Sequence, residues 1–191
     1  MQYTSCFVGI PLPDKFQNEF EKTLDKVKKL YPNWQIVYPK TPHVTVYYLD
    51  KQSQSVLPQI ARAVSKETRL IKSISLKVQG FDFFAKEDSR QGIIFLNVIY
   101  PTAFENFNHT LTNKLNNYHA VDNNLPFHPH VTIARINEPG GDSNLKNSVK
   151  LLNSKIDQIN WEFAINEVAI YGVNSRIQPQ SQKRLISIKF G

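Results

Sequence analysis

The tetrapeptide Pro-His-Val-Thr occurs twice, in "TPHVTVYYL" at 41–49 and in "FHPHVTIARI" at 127–136. His43 and His130 lie 87 residues apart, close to half of the 191-residue chain. Both copies open an apolar, β-branched run, which reads as a strand. In a strand, side chains i and i+2 share a face. His43 and Thr45 are therefore expected on one face of their strand, and His130 and Thr132 on one face of theirs. Val44 and Val131 turn the other way, toward a core. If the two strands meet across a groove, two imidazoles and two hydroxyls converge on one spot.

The surroundings repeat in outline. "TSCFVGI" at 4–10 reads as a strand ended by Pro11 and Pro13. Phe16, Phe20, Leu24, Val27 and Leu30 then follow helical spacing, with Asp14 as a cap and Pro32 as a stop. A second helix is expected over 54–68, started or bent at Pro58, and strands over 73–84 and 92–100. Further on, a helix is expected over 102–119, then the strand "HVTIARI", a short helix after Gly141 with Asp142 or Ser143 as cap, and closing strands in "INWEFAINEVAIYGV" and "RLISIKF". Each half thus reads strand, helix, His-x-Thr strand, helix, strands. No linker or low-complexity tract separates them.

Composition narrows the class. Hydrophobic residues make up 41%, enough for a real core. No apolar run approaches the roughly 20 residues that span a bilayer, and the N-terminus lacks the pattern of a secretory signal. The single cysteine, Cys6, permits no internal disulfide and no cysteine-based metal cluster, and is expected to be a buried thiol. A cytoplasmic protein is expected, without membrane association and monomeric. The net charge of +7 favours a polyanionic partner.

A pair of His-x-Thr strands suits phosphate-ester chemistry without a metal. Histidine titrates near neutrality, so one imidazole can take a proton while the other gives one. Each threonine hydroxyl can donate to a non-bridging phosphoryl oxygen. Arg135 adds a fixed charge and a bidentate donor set. A lone His-x-Thr is most often a packed histidine with one satisfied partner. Two copies, both after Pro and in matching places, favour the functional reading.

"PHVTVYYL" and "FHPHVTIAR" resemble the two signature motifs of the two-histidine phosphoesterase superfamily. The branch they resemble most is the RNA 2',3'-cyclic phosphodiesterases, also called 2'-5' RNA ligases. "CFVGIPLP", "GFDFF" and a closing pair of strands sit in the expected order. The resemblance implies an α+β, bilobal fold over residues 1–191: two pseudosymmetric antiparallel sheets face a central cleft, with helices outside. It implies His43, Thr45, His130 and Thr132 as the catalytic set, with Arg135 matching an arginine common in this branch. It implies neither metal nor cofactor, and RNA ends or 2',3'-cyclic or 2'-5'-linked nucleotides as partners. In the family the second-motif histidine is usually the base, here His130, leaving His43 as the acid. The C-terminal stretch lacks the Pro-Gly segment and following tyrosine of many RNA-processing members.

Tyr47, two residues past Thr45, is placed on the same face, able to stack on a base. Phe7 and Phe127 are candidates to flank the cleft, and Tyr171 and Trp161 are weighed with them. Lys40 and Lys72 are candidates for a basic rim. His128 shares the parity of His130, but the intervening Pro129 and the lack of a nearby carboxylate make a poor metal site. It is expected at the cleft mouth or in solvent. His109 and His119 are expected on the surface of the helix over 102–119. Competing readings are a 2'-5' oligoadenylate phosphodiesterase of the same superfamily, a non-catalytic RNA-end-binding module and a metal-dependent phosphatase.

Overall fold

The fold is described from a computed structural model, over residues 2–37, 41–71, 74–85, 91–118, 126–137, 142–173 and 182–190. Lys40, Lys72 and His119 fall outside these residues. The chain runs β1 (Gln2–Pro11), α1 (Gln17–Leu30), β2 (Gln35–Ile36), β3 (His43–Ser53), α2 (Leu57–Thr68), β4 (Ser75–Ala85) and β5 (Gln91–Ile99). It continues through α3 (Thr102–Leu115), β6 (His130–Asn137), α4 (Asp142–Lys155), β7 (Asn160–Ala164), β8 (Glu167–Val173) and β9 (Gln182–Lys189).

Local chemistry accounts for the helix boundaries. Asp14 lies in a 3-10 turn ahead of α1 instead of capping it, and its carboxylate accepts from Gln17 Nε2 at 2.9 Å. Phe20, Leu24 and Val27 make the buried stripe of α1, whereas Leu30, at the helix end, is 40% exposed. Helix α2 starts at Leu57, three residues later than the pattern suggested, with Pro58 in its first turn. There the missing N–H removes no helical bond. Helix α3 stops at Leu115 and a 3-10 turn follows.

The strands form two antiparallel sheets, ordered β3-β1-β8-β9 and β2-β6-β5-β4-β7. Helices α2 and α3 lie against the first sheet, α1 and α4 against the second. The lobes are not the two halves of the sequence. Strands β2, β4 and β5 from the first half enter the second sheet, and β8 and β9 from the second half complete the first. "INWEFAINEVAIYGV" is therefore split: β7 pairs with β4, then the chain crosses at Ile165 and Asn166 so that β8 pairs with β1.

One apolar core runs through both lobes, from Cys6, Val8 and Ile10 to Ile133, Trp161 and Phe163. Cys6 is fully buried, and burial pushes its thiol up to about 11. Phe7, Ala169 and Tyr171 form a separate buried group. They lie on the other face of the first sheet from Val8 and Ile170, as strand alternation requires.

Candidate active site

Each His-x-Thr strand carries a β-bulge at the same place. In β3, Tyr47 pairs with Val8 and Thr45 with Gly9, leaving Val46 as the extra residue. In β6, Ala134 pairs with Ile94 and Thr132 with Phe95, leaving Ile133 extra. Both extra residues stand three past the histidine. A bulge reverses side-chain parity beyond it. His and Thr keep one face, and the next residue on that face is the one five past the histidine. That residue is Tyr48 in β3 and Arg135 in β6.

The first consequence corrects the expectation for Tyr47. Its parity is reversed, and it is buried in the main core at 4% exposure. Tyr48 takes the cleft face, opposite Phe7, at 39% exposure, and its hydroxyl lies 2.7 Å from Ser5 Oγ. The second consequence explains Arg135. Three residues past Thr132 it would face the core in a flat strand. The bulge turns it outward, and its charge reaches His130.

His43 Nδ1 donates to the carbonyl oxygen of Thr41 at 3.0 Å, and His130 Nδ1 to that of His128 at 2.8 Å. A carbonyl only accepts, so Nδ1 holds the hydrogen in both rings and Nε2 is left for chemistry. The charge of His130 reaches His43 across the two sheets. Their surroundings differ. His43 is stacked on Phe7 at 4.7 Å and on Tyr171 at 4.8 Å between centroids, both 29° from parallel. Burial, only partly offset by the Thr41 bond, lowers its pKa from 6.5 to about 4, and repulsion from His130 adds to the shift. His130 meets Phe84 nearly edge-on and Phe95 at a tilt. Its pKa is also lowered, first by burial, with the charges of His128 and Arg135 lowering it further against the raising effect of the His128 carbonyl. Burial thus favours two neutral imidazoles near neutral pH.

Gly9 makes the stack around His43 possible. A Cβ there would lie 3.1 Å from the Val44 carbonyl oxygen, 3.3 Å from Tyr171 Cε2 and 3.5 Å from His43 Cδ2. The corresponding partner of Thr132 is Phe95, which fills the same space in the other lobe and packs on His130 directly.

Two further expectations change. Phe7 does lie on the cleft face, but it is 4% exposed and packed against His43 and Tyr171, which leaves little of its ring open to the cleft. Phe127 packs on Tyr100 and Phe104 at the start of α3 and joins the main core there. Trp161 is a core residue against Phe16 and Phe20. His128 is exposed, with its ring edge-on to Phe84 and its carbonyl holding His130. Tyr48, Phe84 and Phe95 were not singled out from sequence. The identical offset of the two bulges was the available signal for Tyr48, but bulges have no fixed residue signature.

Comparison with known proteins agrees with this geometry. The family model described as the 2'-5' RNA ligase superfamily matches residues 12–175. The chain belongs to this superfamily. Its members are two-histidine phosphoesterases and ligases. An RNA 2',3'-cyclic phosphodiesterase of Thermotoga maritima is 23% identical over 130 residues, 68% of each protein. The solved structure of TT0787 of Thermus thermophilus superposes with a TM-score of 0.73 at 17% identity, covering 97% of both chains. That of E. coli LigT, complexed with 3'-AMP, does so with 0.68 at 19%, covering 98% of both. These superfamily structures share the α+β, two-sheet architecture. Among the described residues, no helix is long and apolar enough to cross a membrane.

Proposed function

We propose that the chain is a metal-independent phosphodiesterase that opens 2',3'-cyclic phosphates at the ends of RNA or in nucleotides. The observation that carries this reading is the matched geometry of His43 and His130. Each has Nδ1 tied to the carbonyl two residues earlier, and the two rings are close enough to repel as cations. Such a pair holds one proton more readily than two, which is the state a concerted proton exchange needs. An anionic phosphate between the rings supplies the negative charge that admits that proton.

The reaction balances with the chain's own groups. Water attacks phosphorus and its proton passes to Nε2 of His130. The bond from phosphorus to the ribose O3' breaks, and O3' takes the proton held on Nε2 of His43. The product carries a 2'-phosphate. Thr45 and Thr132 donate to the non-bridging oxygens as charge builds there. Arg135 holds the phosphate from the second lobe, and Tyr48 offers an exposed ring to a base. With a 5'-hydroxyl in place of water, the same displacement forms a 2'-5' linkage.

The test is incubation with 2',3'-cyclic AMP in EDTA, with the product read by chromatography. Ring opening to 2'-AMP is expected. His43→Ala and His130→Ala should each lower the rate by about 10² or more. Near-full activity in either variant, or abolition by EDTA, would sink the mechanism. Binding without turnover would point to a non-catalytic module.

A further inference from the structure

Beyond the cleft, six cations of the first lobe gather along its β9 edge. Helix α2 with its C-cap Arg69 carries Arg62, Lys66 and Arg69 at i, i+4 and i+7, all exposed on one stripe. Strand β9 carries Lys183, Arg184 and Lys189 and no acid. The acid of α2, Glu67, is buried at 6% exposure. Glu167 of β8 is held by Arg184 at 2.9 Å. Between α2 and β9 runs a groove of about 520 Å³ lined by Arg62, Ser65, Arg69, Ser187 and Lys189 among others. Strand β9 is the last of its sheet, so its outward amides have no strand partner among the described residues.

Strand β9 forms one wall of this groove and belongs to the sheet that carries the cleft, whereas α2 packs against the opposite, core face of that sheet. Ser187 pairs with Ala169, and Ala169 with Gly9, which in turn pairs with Thr45. Paired residues share a face, so Ser187 lies on the cleft face. Strand β9 lies three strand spacings from β3, about 14 Å away. A strand of RNA with its end at His43 covers that distance in a few nucleotides, and reaches the cations of α2 by passing over the β9 edge.

We propose that the groove between α2 and β9 binds the phosphodiester backbone of the RNA whose terminal cyclic phosphate occupies the cleft. This rests on the reading of the cleft above and narrows it: the preferred substrate is an RNA strand and not a free mononucleotide. Guanidinium and ammonium groups with serine hydroxyls and edge amides are the donors that recognise phosphate without reading bases. An acidic protein segment would meet the same cations, but nothing would then tie the groove to the cleft.

The experiment compares the wild type with Arg62→Ala/Arg69→Ala/Lys189→Ala and with Lys22→Ala/Lys29→Ala/Lys146→Ala, which removes equal charge from α1 and α4. Turnover of 2',3'-cyclic AMP and of a cyclic-phosphate-ended RNA of about ten nucleotides is measured, with binding of the same RNA ended in a 3'-phosphate followed by fluorescence anisotropy. The groove variant should keep the mononucleotide rate, which also reports its folding, and lose about tenfold or more in RNA binding and in kcat/KM on RNA. Its log–log salt slope should fall by about 2, since each single-strand phosphate contact contributes about 0.7. The control variant should stay near wild type. Equal losses in both variants, or no loss in the groove variant, overturn the proposal while leaving the cleft reading intact. Failure of the wild type to turn over either substrate sinks the cleft reading. The anisotropy arm still decides whether the groove holds RNA.

Discussion

The ring of Tyr171 lies against the ring of His43, 4.8 Å between centroids and 29° from parallel. Phe7 closes the group, stacked on Tyr171 at 5.0 Å. The hydroxyl of Tyr171 is buried, and no partner among the described residues meets hydrogen-bond geometry, although Arg184 and Thr41 lie near it. The ring, not the hydroxyl, therefore keeps water from His43. Tyr171→Phe should keep kcat and the pH profile, and gain up to about 1 kcal/mol in stability by removing an unsatisfied group. Tyr171→Ala should shift the kcat/KM profile to higher pH, because a better hydrated His43 holds its proton longer, and lose about 3 to 5 kcal/mol in stability. An unchanged profile in Tyr171→Ala would show that the stack does not set the protonation of His43.

Gly9 leaves room for that stack. Gly9→Ala puts a methyl 3.1 Å from the Val44 carbonyl oxygen and 3.3 Å from Tyr171 Cε2. It should cost about 1 to 2 kcal/mol by overpacking and lower kcat by displacing His43. Denaturant unfolding alongside steady-state kinetics reads both. Wild-type stability and rate together would mean that the neighbours give way freely.

Burial of His43 also links stability to pH. Its pKa falls from 6.5 to about 4 on folding, so the unfolded chain binds the extra proton between those values. The contribution, about 3 kcal/mol, is present above pH 6.5 and is lost as pH falls toward 4. The urea midpoint should drop over this window. His43→Leu should flatten the drop, and an equally steep fall in that variant would assign the pH dependence to other groups.

Tyr47 and Tyr48 should separate cleanly. Tyr47→Ala should lose about 3 kcal/mol or more by opening the core, without a selective effect on KM. Tyr48→Ala should leave the melting temperature within a few degrees and raise KM for nucleotide substrates by about tenfold, the cost of about one stacked base. The opposite pattern would mean that the bulge in β3 does not reverse parity in solution.

The pair of His-x-Thr strands was legible because parity within two residues needs no partner. His43 with Thr45, and His130 with Thr132, share a face whatever surrounds them. The helices were legible for a similar reason: Phe20, Leu24 and Val27 mark one stripe by spacing alone. Tyr47 and Arg135 were not decided at that level. Each stands beyond a bulge, and the bulge exists only because β1 and β5 offer one residue where β3 and β6 offer two. The split of "INWEFAINEVAIYGV" between sheets is of the same kind, since a strand pattern does not say which neighbour it will pair with.

By itself the sequence determined that two imidazole–hydroxyl pairs would stand on strands and that an apolar core would form behind them, because alternation and helical spacing are local properties of the backbone. Tertiary structure decided what those pairs face and how they differ. It put Tyr48 and Arg135 on the cleft, sent Tyr47 to the core, and stacked Tyr171 over Gly9 onto His43 while leaving His130 edge-on to Phe84. Burial is a property of neighbours brought from far along the chain, and burial separates one histidine from its copy.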